Sequence, residues 1–235
     1  MLAVYKKELK SYLQSPMAYV LTGLFILICS LISTYMMNYN SHKFNEIINY
    51  MEYILTFLVP ILTMGMISEE MKNETDIILL TSPVSVTGTI LGKYLSLLTV
   101  FGTMVLLTGI QPLIMSFHGD LESSVIFSSY MGFVLFGASL ISLGMFISSL
   151  TKNQIIAGVI TFIISFGMTM VYIISMLFNT GWVKEFLKRI SVHDRLNNFN
   201  AGILSVDDFT FYITFIILFV FLTIRVVEKR RWSQG

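Results

Sequence analysis

MAYVLTGLFILICSLISTYMM, residues 17–37, is a run of 21 residues without one charged side chain. A helix rises 1.5 Å per residue, and a bilayer core of about 30 Å needs roughly 20 apolar residues to cross it. The run therefore reads as a membrane span. Basic residues precede it, as in a secretory signal. Its apolar stretch is longer than the roughly 7–15 residues of a signal core, however, and no small-residue cleavage pattern follows. A retained helix is expected.

Working outward, the same pattern recurs. Residues 94–117, 125–150 and 155–178 carry no charge, and 209–227 carries only Arg225, close enough to its end to snorkel. A sixth span needs residues 47–67 and takes in Glu52 about a turn and a half from its outer end. The expected fold class is an all-α membrane protein with six transmembrane helices in one domain over 1–235. The composition agrees: of 235 residues, 55% are hydrophobic and 12% charged, and mean hydropathy is +0.77. Soluble domains carry roughly 25% charged residues, so this chain lacks the polar surface to coat a water-soluble globule. A soluble enzyme, a disulfide scaffold and a disordered tail are excluded. The net charge of +1 provides no bulk attraction to nucleic acid, and the lone Cys29 has no internal partner for a disulfide.

Lysines and arginines orient the spans, because cytoplasmic connections carry the excess. One side holds ten: Lys6, Lys7, Lys10, Lys72, Lys93, Lys152, Arg225, Lys229, Arg230 and Arg231. The other holds five: Lys43, Lys184, Lys188, Arg189 and Arg195. The bias predicts a multi-pass protein of the cell membrane with both termini cytoplasmic.

The connections carry structure of their own. In residues 1–16, Leu2, Tyr5, Leu9, Tyr12 and Leu13 recur at helical spacing, with Lys6, Lys7 and Lys10 elsewhere on the wheel. That pattern predicts an amphipathic helix at the interface, apolar face in lipid and lysines at the headgroups; simple topogenic charge before the first span is the competing reading. The longest cytoplasmic connection, 68–93, opens with Glu69, Glu70, Glu74 and Asp76, continues as Ile77, Ile78, Leu79 and Leu80, and meets Pro83. Acidic residues favour a helix N-terminus, and the residue before proline avoids helical geometry, so a short helix ending at Pro83 is expected. An ordinary loop is the competing reading. In the outer loop 179–208, Trp182, Val183, Phe186, Leu187 and Ile190 would share one helical face, and Ser205 to Asp208 resembles a capping box for the last span.

The chemistry-bearing groups are sparse. GTILGK, residues 88–93, fails as a phosphate loop: its glycines stand one residue too close and Tyr94 replaces the hydroxyl residue. Gly92 and Lys93 are instead expected to open the third span, with Lys93 at the headgroups. His42, His118 and His193 are scattered outside the spans, so neither a metal site nor a histidine-activated nucleophile is predicted. His118 and Asp120, close in sequence at the outer edge, read as solvated loop. Pro60 and Pro112 should kink their helices. Small residues four apart, Ser128/Gly132 and Ala157/Thr161, should let helices approach closely. Catalytic, cofactor-binding and metal-ligating residues are therefore none on this chain. Movement of a solute would draw energy from outside it, and 68–93 is the place to receive that energy. A secondary carrier or channel, or a non-transporting scaffold, remains an alternative from these patterns.

Five stretches in order resemble a known family. They are KKELKSYLQSPMAYV (6–20), SEEMKNETDIILLTSPVSVTGTILGKY (68–94), SSLTKNQIIAG (148–158), FNAGILSVDDFTFY (199–212) and VVEKRRW (226–232). The chain resembles the membrane permease subunit of ABC-2 type transporters, and within them permeases similar to the gliding-motility subfamily. It departs where Glu74 replaces a usual glycine and Ile77 a usual glutamate, with Asp76 as a displaced acid. The resemblance implies a dimer of such subunits, homo- or heteromeric, acting as an exporter. It implies two cytoplasmic ABC ATPase subunits that hold ATP and Mg, and an accessory membrane subunit beside them. It makes Glu69, Glu70, Thr75, Asp76, Leu79, Leu80, Ser82 and Pro83 the contact with the ATPase, through a coupling helix around Glu70–Pro83. The interfacial helix, with Tyr5, Lys6, Lys7 and Lys10, would lie beside it. Spans two and five would line the route, which loop 179–208 would cap outside.

Overall fold

The computed structural model describes residues 1–38, 44–75, 85–117, 122–177, 182, 185 and 191–233. Every regular element among them is an α-helix. These are α1 (Leu2–Gln14), α2 (Pro16–Asn38), α3 (Phe44–Thr63), α4 (Ser68–Lys72), α5 (Val86–Thr108), α6 (Ile110–Met115), α7 (Ser123–Leu150), α8 (Gln154–Leu177), α9 (Val192–Asn200) and α10 (Val206–Ser233). Six stretches are long and apolar enough to cross a membrane: Pro16–Asn38, Phe44–Lys72, Val86–Met115, Ser123–Leu150, Gln154–Ser175 and Val206–Arg231. The chain is an all-α, multi-pass membrane protein.

Local chemistry sets the breaks. Ser15 is extended, as a residue before proline prefers, and Pro16 opens α2 where its missing N–H costs nothing. Pro112 deprives the Thr108 carbonyl of its helical donor, and α5 gives way to α6 there at Gly109. Pro60 breaks nothing at its own position; the interruption comes at residues 64–67, before α4. Those backbone groups lie away from water and need partners. Ser148 of α7 supplies them. Its Oγ accepts from the Ile67 and Ser68 amides, each at 3.1 Å, and donates to the Met64 carbonyl at 2.9 Å.

The core is built around α7, the most buried of the six spans. It takes that place because it is small-faced. A Cβ at Gly132 would overlap Phe199 of α9, one at Gly137 Phe101 of α5, and one at Gly144 Thr63 of α3. Phe133 of α7 packs between Phe25 of α2 and Phe101, with ring centroids 6.4 and 6.1 Å away, and all three rings are fully buried. Beside it, α8 turns a row of small residues inward (Ala157, Thr161, Ser165, Thr169) and leaves Ile156, Val159, Ile160 and Ile163 outward. Outward aliphatics on α2, α8 and α10 present the face a lipid tail would meet.

Glu52 sits deeper than the sequence suggested. Glu52 was expected near a span end. Helix α3 begins at Phe44, which puts Glu52 eight residues or about 12 Å inside it, fully buried against His193 of α9. His193 is therefore not a loop residue but a packed one. The expected capping box at 205–208 is only half formed. Ser205 Oγ accepts from the Asp207 amide at 3.2 Å, while Asp208 turns away to Arg195 at 2.8 Å and Asn198 at 2.9 Å. A paired guanidinium outcompetes a backbone amide for that carboxylate. Trp182 is exposed; the rest of the expected face (Val183, Phe186, Leu187, Ile190), His42, His118 and Asp120 lie outside the described residues.

Candidate functional site

The site begins with a glycine pair. Gly88 and Gly92, which failed as a phosphate loop, lie four apart on α5 and face α1. A Cβ on Gly92 would stand 3.1 Å from the Met1 carbonyl, 3.2 Å from the Tyr5 amide and 3.2 Å from Val4 Cβ. A residue without a side chain lets the α1 backbone come that close with no shift of either helix, as in small-residue helix contacts generally. The Tyr5 hydroxyl then lies 3.1 Å from Thr99 Oγ1.

This docking corrects the expected face of α1. Its Val4 is buried, and Leu9 and Tyr12 pack against the protein core rather than lipid. Leu2 and Leu13 remain exposed, as do Lys6, Lys7 and Lys10. Part of the apolar stripe is spent on α5 and part is left for the membrane.

Docking α1 carries Glu8 onto Lys93. Helix α5 starts at Val86, capped by Ser85 Oγ, which accepts from the Gly88 amide at 3.2 Å. Lys93 is therefore two turns inside the helix, and it is buried rather than at the headgroups. Its Nζ lies 2.8 Å from Glu70 Oε1, 3.2 Å from Glu8 Oε1 and 3.3 Å from the Met66 carbonyl. One ammonium thus ties together α1, α4, α5 and the turn that ends α3. A buried lysine needs such compensation, because desolvating an unpaired charge costs several kcal/mol. Beside the knot is a cavity of about 480 Å³ whose wall includes Lys7, Tyr12, Glu69, Asn73, Thr75 and Gln154. Burial raises the Tyr12 phenol above its ordinary pKa, and Glu8, Glu70 and Glu69 add to the effect, so it stays protonated.

Of the residues expected to contact an ATPase, Glu70 is in this knot, Glu69 is exposed, and Thr75 closes α4. The Thr75 amide donates to the Glu70 carbonyl at 3.0 Å. Between them Glu74 takes φ +57°, the left-handed conformation that commonly ends helices and favours glycine. Asp76, Leu79, Leu80, Ser82 and Pro83 lie outside the described residues. The described chain stops at Thr75 and resumes at Ser85, on either side of the knot. Both termini reach the same end of the bundle: Met1 lies against Gly88, and Arg231 shares a cavity with Ser85, Val86 and Thr87.

Sequence reasoning missed Glu8 and the depth of Lys93. A signal existed. Ser85, following Pro83 and followed by Gly88, marks a helix start at Val86, which places Lys93 inside the helix rather than at its mouth.

Residues 5–192 match the sequence profile of a family described as ABC-2 family transporter protein. No curated protein matches the chain.

Proposed function

Since this chain belongs to the ABC-2 transporter family, matching its profile over residues 5–192, we propose that it is the permease of an exporter powered by separate cytoplasmic ATPase subunits. Those subunits bind ATP and Mg and grip the segment 68–93, with Leu79, Leu80 and Pro83 at the contact. Both termini face the cytoplasm, two permeases pair, and spans two and five line the route. The five quoted stretches further favour a likeness to gliding-motility permeases.

The observation that carries the reading is the knot at Lys93. It fastens both sides of the coupling segment, α4 before it and α5 after it, to one another and to the interfacial helix α1. A push on 76–84 is then borne by buried charge pairs instead of dissipating in a loop. Helix α3 runs from that knot toward the opposite end of the bundle, so the push has a rigid element to travel along. The ATPase subunits shift the balance between inward- and outward-open states only through contacts that differ between the two; segment 68–93 carries those contacts, and the knot passes them on.

Affinity purification from native membranes in mild detergent tests this. A Walker-motif ATPase subunit should co-purify and hydrolyse ATP. Leu79→Asp with Leu80→Asp should leave the permease inserted and lower the recovered ATPase at least about tenfold, which needs only 1.4 kcal/mol. Full recovery with the double variant, or ATP hydrolysis or unaided pumping by the isolated chain, overturns the reading.

A further inference from the structure

Two recesses meet where α3 ends. The first is the 480 Å³ cavity beside the Lys93 knot, whose wall carries charged side chains. The second is a groove of about 360 Å³ between α3 and α8, lined within residues 57–64 of one and 155–162 of the other by Phe, Ile, Val, Met, Pro and Gly alone. Ile61 and Met64 line both. Gly158 widens the groove, since a Cβ there would already touch Met64 Cβ and Sδ at 3.4 Å. From Met64 the groove runs about 10 Å back along α3, to where Phe57 and Phe162 meet with ring centroids 4.9 Å apart. Phe57, Ile155 and Val159 are exposed, so it opens on the face a lipid tail would meet.

The joint between the recesses is polar. A Cβ on Gly65 would stand 3.1 Å from Glu69 Oε2 and 3.6 Å from Gln154 Nε2, so a carboxylate and a carboxamide converge over the backbone next to Met64. Neither side chain has a hydrogen bond or ion pair among the described residues. Of the charged groups that line the cavity, Lys93 is shared by Glu8 and Glu70, and Lys7 lies 3.7 Å from Glu8. Three carboxylates thus face two ammonium groups, and the excess negative charge sits at Glu69, where the groove begins.

Charge and shape together specify an amphiphile. In a bilayer an apolar groove selects little by itself, because lipid tails are as apolar as its walls. Selection falls to the head. A primary ammonium donates in several directions and accepts nothing. It therefore suits an unpaired carboxylate beside a carboxamide oxygen, and its bond to the carboxylate is charge-assisted. An anionic head would meet Glu69 as a like charge.

We infer that this joint binds a long-chain primary amine, with the ammonium held between Glu69 and Gln154 and the chain laid along α3 and α8 toward Phe57 and Phe162. Treating that molecule as cargo rests on the permease reading, in which these two spans line the route. Binding itself needs neither an ATPase nor transport and is measured alone, so its failure leaves the co-purification result standing.

The experiment exposes the full chain in phosphatidylcholine nanodiscs to two photoactivatable probes, dodecylamine and dodecanesulfonate, each with a diazirine in mid-chain. Mass spectrometry locates the labelled residues. Labelling within 57–64 and 155–162 is divided by labelling at Ile217 and Leu218, exposed on α10, which reports how much of each probe the bilayer holds. The ratio should be about tenfold higher for the amine than for the sulfonate, a difference of 1.4 kcal/mol. Glu69→Gln should abolish that preference and Glu69→Lys should reverse it; Glu69 is exposed, so the core is left alone. Gly158→Leu, which fills the groove, should bring the amine ratio down to that of the sulfonate. Equal ratios for the two probes on the native chain, the mark of a groove that takes any lipid, overturn the proposal. So does a preference that survives Glu69→Gln, or an amine ratio unchanged by Gly158→Leu. A groove that neither probe labels above α10, the outcome if a second copy of the chain covers it, overturns it as well.

Discussion

Lys93 and Glu52 are both charged residues inside apolar helices, and the structure treats them differently. Lys93 has two carboxylates and a carbonyl around it, drawn from α1, α4 and the end of α3. Glu52 has the imidazole of His193 as its ion-pair partner among the described residues. The first arrangement ties three helices and a turn together, with Lys7 3.7 Å from Glu8 as a second cation. The second joins only two elements, α3 and α9. The end of the bundle that carries the termini thus gathers more elements around one buried charge than the opposite end does. In the exporter reading, that contrast assigns force transmission to the end that carries the termini.

The contrast can be broken most directly at Lys93. Lys93→Met takes the lysine from Glu70 and leaves Glu8 with Lys7 at 3.7 Å; it should cost about 3 kcal/mol, read as a lowered thermal unfolding midpoint in detergent. Adding Glu8→Gln and Glu70→Gln to it should recover much of that loss. If the triple variant is no more stable than Lys93→Met alone, the knot is not held by charge. Next in size is Gly92→Val, which drives a branched side chain into the α1 backbone. Overpacking of this kind costs about 1–3 kcal/mol, and here it should detach α1, so that protease cuts near Lys6 and Lys7 sooner.

Glu70→Gln alone should be milder, about 1–2 kcal/mol, because Glu8 still faces the lysine and the amide can still accept a hydrogen bond. The smallest effect has the opposite sign. Glu74→Gly removes a left-handed strain of about 1 kcal/mol and should raise the unfolding midpoint slightly. An unchanged or lowered midpoint would show that Glu74 makes a compensating contact. Glycine adopts a backbone at φ +57° without that strain.

Periodicity and run length were enough to read the fold class, the number of spans, the amphipathic α1 and the break at Pro16. These follow from local rules: an apolar run of sufficient length needs lipid, and a proline restricts its neighbour. Helix starts were read late where the first turn is polar, as at Val86 and Phe44, because composition dilutes the apolar signal before geometry ends the helix. That error carried Lys93 and Glu52 too near the surface. The Gly88/Gly92 pair was visible, but its partner was not, since nothing local says that Val4 and Tyr5 lie against it.

What the chain determined by itself is therefore its partition between water and lipid, because transfer energies sum residue by residue along a helix. The tertiary structure alone decided which charges are buried and who neutralises them. Compensation depends on neighbours distant in sequence: 85 residues separate Glu8 from Lys93, and 141 separate Glu52 from His193. A residue's own neighbours in the chain carry no record of a partner that far away.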